Sequence, residues 1–268
     1  MTERYCVYHV PDPLSPLYSL GSAILGRCIH SGRALDPPWP RALAQDFPPH
    51  PAKAAVYGFH ATLVAPFRSL VPAETLIGAL DRAALGAEAV PLGPLELSLL
   101  PPGFPALTPR TQTAALSDLE VALVKAFAGY RHPPRPDELA RREPLTARQR
   151  SLARKWGYPF VLDEFRYHLT LGDRIQGHDE ALAPRSLNLL DLLASLLAGE
   201  AADGCAVDSL CLARQGSEGA PFKVLAVSCL RATGKPGAGR PAGEAAGHGG
   251  PQCQGLLPFP ECRPEAPK

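Results

Sequence analysis

The chain has no long uninterrupted apolar run, almost no net charge and no metal-binding spacing among its cysteines. Each absence excludes something. The most apolar stretch, Leu187 to Ala202, carries Asp191 and Glu200. It is shorter than the roughly 20 apolar residues that cross a bilayer, and reads as a buried helix. No apolar segment separates the N-terminal Met1-Thr2-Glu3-Arg4-Tyr5 from Pro11 and Pro13, so no signal peptide is expected. A net charge of +1 over 268 residues gives no general affinity for polyanions, although it is compatible with a local basic patch. The seven cysteines are odd in number and lack CxxC or other zinc spacing, so no metal is expected. Cys205, Cys211 and Cys229 lie in or beside apolar segments, where a small buried thiol is the usual arrangement. Together with the missing signal peptide this makes a reducing cytoplasm the expected setting. GxGxxG, GxxxxGK[ST] and GxSxG are all absent, which removes the usual signals for dinucleotide binding, phosphate loops and nucleophile elbows.

What is present is a pair of matching segments. Phe59-His60-Ala61-Thr62-Leu63 and Tyr167-His168-Leu169-Thr170-Leu171 both read aromatic-His-apolar-Thr-Leu, 108 positions apart. Composition alone predicts His-x-Thr about 0.3 times in such a chain. Both segments are apolar enough to form strands, on which alternate side chains share a face. His60 and Thr62 therefore project together, as do His168 and Thr170. Each pair offers an imidazole that titrates near neutrality with a hydroxyl beside it. Two such pairs facing one pocket would supply a base, an acid and two hydrogen-bond donors, enough to hydrolyse a phosphodiester without a metal.

The remaining pattern predicts a mixture of strands and helices. Arg4 to Val10 alternates and reads as a strand. Leu17 to Cys28 reads as a helix, with Ser15 as N-cap and Pro16 at its first position. Residues 36–51 are Pro-rich and read as loop. Phe59 to Ala65 is the first motif strand, ended by Pro66, and Ala73 to Leu85 is a helix. Leu95 to Leu100 and Thr111 to Leu116 suit a hairpin around Pro-Pro-Gly-Phe-Pro. Ser117 to Ala128 reads as a helix with a capping box of Ser117 and Glu120. Pro136 to Arg142 and Ala147 to Trp156 are helical, the second capped by Thr146 and ended by Gly157. Phe165 to Leu171 is the second motif strand and Leu187 to Leu197 a helix. Val207 to Arg214 and Phe222 to Leu230 are two further strands. Residues 231–268 are rich in Gly, Pro and Ala and read as a disordered tail. Without a strict βαβ rhythm, antiparallel sheets covered by helices are expected, an α+β class.

The paired motifs resemble the 2H phosphoesterase superfamily. More narrowly, Tyr57-Gly58-Phe59-His60-Ala61-Thr62-Leu63 and Ala65-Pro66-Phe67-Arg68 resemble its branch of phosphonate-metabolism-associated proteins, the DUF1045 group. So do Leu145 to Arg150, Lys155 to Pro159, Glu164 to Arg166 and Ala220 to Leu225. The resemblance covers about residues 4–230. It implies a bilobal fold for residues 1–230: two antiparallel sheets in halves related by a pseudo-two-fold axis, lining a central cleft, with helices outside. Two positions depart from the family pattern. Val64 stands where a Lys is usual, and strand parity places it on the face of His60 and Thr62. Gly172 stands where a Thr is common, on the face of the second motif.

The resulting expectation is a phosphoric diester hydrolase that needs no metal and no cofactor. Its catalytic residues are His60, Thr62, His168 and Thr170, and its substrate a small cyclic phosphosugar. The resemblance adds phosphonate catabolism, in which a ribose cyclic phosphate arises. Arg166 shares parity with His168 and is a candidate to bind phosphate; its bland reading is a surface pair with a carboxylate such as Glu164. Tyr57 and Tyr158 are candidates to stack on the substrate, against a default of ordinary packing. Two alternatives stand beside this one. An RNA-end enzyme opening 2′,3′-cyclic phosphates would need a basic track with aromatics, which the near-zero charge disfavours. A non-catalytic phosphosugar or nucleotide binder draws its support from Val64. Neither a membrane nor, on charge grounds, a nucleic-acid partner is expected.

Overall fold

The computed structural model describes residues 3–39, 51–140, 142, 144–175, 183–198 and 205–233, with the backbone alone over 183–189. All named strand pairs are antiparallel, and the class is α+β. A four-stranded sheet has the order β2-β1-β8-β9, built from β1 (Arg4–His9), β2 (Ala61–Phe67), β8 (Ser209–Gln215) and β9 (Lys223–Cys229). A three-stranded sheet has the order β4-β5-β6, from β4 (Leu95–Leu100), β5 (Phe104–Pro109) and β6 (Leu169–Thr170). A two-stranded ribbon joins β3 (Val90–Pro91) to β7 (Ala206–Val207). The two motifs thus enter different sheets, each at an edge.

Seven helices are described: α1 (Pro16–Leu25), α2 (Ala52–Ala55), α3 (Ala73–Leu85), α4 (Ala114–Phe127), α5 (Pro136–Ala140), α6 (Ala147–Trp156) and α7 (Ala183–Leu197). The helix signals of α1 operate as read. The Ser15 side chain accepts from the Tyr18 N–H, Pro16 opens the helix, and Gly26 ends it in the left-handed region, three residues before the expected end. The capping box of Thr146 and Gln149 starts α6, and Gly157 stops it. A single hydrophobic core joins the two larger sheets: Val7, Leu63 and Leu212 belong to it together with Leu107, Leu169 and Leu171.

Several expectations are corrected. The first motif strand runs through Pro66 to Phe67. It is an edge strand, where a missing N–H costs no ladder bond. The hairpin partner of β4 is Phe104–Pro109, not Thr111 to Leu116. The latter stretch instead begins α4, whose N-cap is Thr113, not Ser117. Glu120 is consequently no capping residue but is buried, 1% exposed. The second motif strand shrinks to Leu169–Thr170. Ahead of it the Gln112 side chain takes the place of a neighbouring strand, accepting the Tyr167 N–H at 2.9 Å and donating to the Phe165 carbonyl at 3.0 Å. Cys229 is exposed on β9, not buried. Arg231 is ordered: its backbone bonds to Ala87 and Ala89. The expected tail lies outside the described residues from 234 onward.

Candidate active site

His60 sits where α2 turns into β2. The turn needs Gly58, which has φ +72° and would place a Cβ 2.8 Å from that of Ile29. Only glycine meets both conditions without strain. The His60 Nδ1 lies 2.8 Å from the Gly58 carbonyl. A carbonyl only accepts, so Nδ1 carries the proton and Nε2 keeps its lone pair in the neutral ring. The Thr62 hydroxyl, 3.1 Å from Nε2, donates to it. The Tyr8 ring stacks on the imidazole at 3.7 Å. Burial pushes His60 down to about 3, and the nearby charges of His168 and Arg27 act in the same direction.

His168 repeats the device. Its Nδ1 lies 2.7 Å from the carbonyl of Arg166, again two residues back, so its Nε2 also keeps the lone pair. It is half-buried, and burial lowers its pKa. That His60 feels the His168 charge puts both rings in one electrostatic neighbourhood. Thr170, half-buried, pairs with Ala106 of β5.

The loop leading to His168 is held from below by Glu120. Its carboxylate accepts the N–H of Leu162 at 3.1 Å, and Leu162 has φ +57°, a conformation that costs a residue other than glycine about 1–3 kcal/mol. Desolvation raises Glu120 to about 7.

The other candidates divide. The Tyr57 ring lies 6.4 Å from His60 and stacks on Phe222 at 5.4 Å, 37% exposed. Tyr57 is also an electrostatic neighbour of Tyr158, whose ring sits under the Arg142 guanidinium at 4.6 Å. Arg166 is exposed and turned back on its own loop, donating to the carbonyls of Phe165 at 2.7 Å and Asp163 at 3.2 Å.

Each of the two departures from the family pattern has a local packing reason. Tyr8 pairs with Thr62, but Val7 pairs with Val64, across a register shift. The extra residue, Leu63, is a bulge that reverses parity. Val64 therefore faces the core, 0% exposed, not the side of His60 and Thr62. At Gly172 a Cβ would lie 3.0 Å from the Pro105 ring, so the missing side chain makes room for a neighbour.

Four contributors carried no readable sequence signal: Tyr8, His9, Arg27 and Asp173. The His9 Nδ1 lies 2.6 Å from the Tyr167 hydroxyl, tying the first sheet to the second motif. A cavity of about 550 Å³ at the far end of β2 is lined by Glu3, Tyr5, Arg68, His132 and Arg135, with none of the seven nominated residues. Of its two arginines, Arg68 already donates to the Pro133 carbonyl and lies 3.6 Å from Glu138.

A family described as "Protein of unknown function (DUF1045)" matches residues 62–223. That is more than half of the chain. The protein belongs to the DUF1045 family. The match opens at Thr62 and includes His168 and Thr170, with His60 two residues ahead of it. Two similar proteins carry the name ribose 1,5-bisphosphate phosphokinase PhnN. The one from Laribacter hongkongensis (strain HLHK9) is 36% identical over 181 residues, 66% of this chain and 41% of the relative. The one from Janthinobacterium sp. (strain Marseille) is 33% identical over 227 residues, 82% of this chain and 49% of the relative. This DUF1045 chain therefore spans less than half the length of either.

Proposed function

We propose that the protein is a metal-independent cyclic phosphodiesterase of the two-histidine type, a 2H phosphoesterase acting on a ribose cyclic phosphate in phosphonate catabolism. Residues 1–230 form its catalytic domain, one motif per lobe, in the cytoplasm. The observation that carries this reading is the matched pair of imidazoles, each with Nδ1–H fixed on the carbonyl two residues back so that Nε2 carries the lone pair.

In the reaction one Nε2 takes a proton from water as its oxygen attacks phosphorus. The other Nε2 delivers a proton to the departing ring oxygen as the P–O bond breaks, leaving a phosphomonoester. An anionic substrate offsets the desolvation that holds both free rings neutral. The first proton then goes to His168, the more exposed ring. His168 is accordingly the acid and His60 the base. Thr62, once its hydroxyl turns from His60 Nε2 to the substrate, and Thr170 bond the non-bridging oxygens as charge builds there, and Tyr57 and Tyr158 flank the sugar. Arg166 meets the phosphate only if it leaves its two carbonyls.

The names of the two relatives support a ribose phosphate as the substrate class. We assign the phosphokinase reaction to the part of those longer proteins outside the match, because GxxxxGK[ST] occurs nowhere in this sequence. The non-catalytic alternative loses its argument, since Val64 lies in the core. The test is ³¹P NMR of a ribose cyclic phosphate incubated with the protein in EDTA. Ring opening to a monoester is expected. An unchanged spectrum, or turnover that depends on added divalent metal, refutes the proposal.

A further inference from the structure

We propose that Arg27 and Asp173 form a two-ended clamp on α2 that sets His60 against His168, and that the Arg27 charge serves the anionic substrate. This inference rests on the two-histidine reading above.

The helix α2 has four residues, Ala52–Ala55, and no side-chain N-cap. So short a helix does not hold itself, yet it delivers His60 five residues later. The Asp173 carboxylate holds one end: Oδ1 accepts the Ala54 N–H at 2.8 Å and Oδ2 the Lys53 N–H at 3.1 Å. Asp173 follows His168 by five residues, so the second motif itself grips the segment that carries the first. Arg27 holds the other end. Its Nε donates to the Ala55 carbonyl at 2.9 Å and its Nη2 to the Val56 carbonyl at 3.1 Å. The guanidinium passes beside Gly58, where a Cβ would lie 3.3 Å from Nη2.

Two carbonyls would be satisfied by neutral donors. Arg27 is instead a cation only 8% exposed, and its Nη1 is buried without a hydrogen-bond partner. Among the described residues no carboxylate lies in ion-pair contact with it. Its titratable neighbours are Cys28, Tyr18 and Tyr8, none of them a carboxylate; a buried charge without a full counter-ion is costly, and an arriving phosphodiester is the anion that relieves it. The groups facing His60 are Tyr8 from β1, Tyr57, His168 and Arg27. Of these, Arg27 is the fixed cation. Asp173 and Arg27 are positioning residues: neither is assigned a contact with the reacting atoms.

The test is a ¹⁵N NMR titration of the imidazoles in the full chain, which needs no substrate. In the wild type His60 should hold the Nδ1–H tautomer. In Arg27→Met its protonation midpoint should rise by about one unit, a tenfold change in its proton affinity, with the His168 midpoint unmoved. In Arg27→Lys it should stay at the wild-type value. Asp173→Ala should leave the midpoint and replace the single His60 signal set by a mixture of conformers; Asp173→Asn, which keeps one acceptor, should restore part of the single set. A folded Arg27→Met with an unmoved His60, or an Arg27→Lys that titrates differently from wild type, overturns the role of the charge. An undisturbed His60 in Asp173→Ala overturns the clamp. If Arg27→Met does not fold, the Lys and Asp173 variants still decide. On a ribose cyclic phosphate, Asp173→Ala should lower kcat about 10- to 100-fold with little change in KM, as loss of orientation does. Absent turnover in the wild type defeats the hydrolase reading alone, because the titrations stand without it.

Discussion

The environment of single side chains carries most of the chemistry here. His60 and His168 have the same backbone partner in the same relative position, but different surroundings. Stacking under Tyr8 and proximity to Arg27 separate the first ring from the second. Glu120 shows the same logic in a supporting role. It spends burial free energy to keep Leu162 in a strained turn, and desolvation raises its pKa to about 7. An acid whose folded pKa is raised stabilises the fold fully below its ordinary value and loses that contribution as pH rises through the folded one. Glu120→Gln keeps an acceptor and removes the charge. Its stability by urea unfolding at pH 8.5 should exceed that of the wild type by about 1–3 kcal/mol, with the gain gone at pH 5. Equal stabilities at both pH values would contradict the assignment.

Elements show where sequence patterns carry and where they fail. The ends of α3 and α6 coincide with the expected residues because propensity and local stop signals act within a few residues of chain. The second motif strand was not legible in extent, because the side chain of Gln112, 55 positions away in sequence from Tyr167, supplies its hydrogen bonds. Strand parity likewise failed at Val64, since the bulge at Leu63 arises from pairing with β1 and leaves no mark in β2 itself. The correction has a consequence. Val64→Lys would not restore a phosphate contact; it would bury an unpaired ammonium and cost about 3–5 kcal/mol in urea unfolding. A Lys variant as stable as wild type and tighter for substrate would show that the residue faces the pocket after all.

For the whole molecule, the candidate catalytic residues were legible because two copies of one motif exceed chance. Their support was not, because Arg27, Asp173 and His9 act across long sequence separations and belong to no local pattern. Burial of ionisable groups also sets how the whole fold responds to pH. His9 and His30 are pushed down to about 4 and His60 to about 3, so an unfolded chain near pH 5 binds three protons that the folded one refuses. Glu120 retains one in the folded state. The net uptake of about two protons on unfolding makes stability fall by roughly 2.7 kcal/mol per pH unit as pH drops from about 6 to 5. The histidine contribution fades out about one pH unit above their ordinary value of 6.5, where only Glu120 still lowers stability with rising pH. Urea unfolding across this range should therefore peak at about pH 7 to 7.5, and a stability that rises steadily toward pH 5 would contradict the buried-histidine account.

The central claim is that the two imidazoles act as one pair on one phosphate. It is tested most directly by kcat/KM for a ribose cyclic phosphate in EDTA, measured for wild type, His60→Ala, His168→Ala and the double variant. Residues that work as a unit are non-additive, so each single variant should lose about 10³-fold or more and the double should lose little beyond that. A single variant with wild-type turnover, or a double whose loss is the product of two independent losses, would contradict the account.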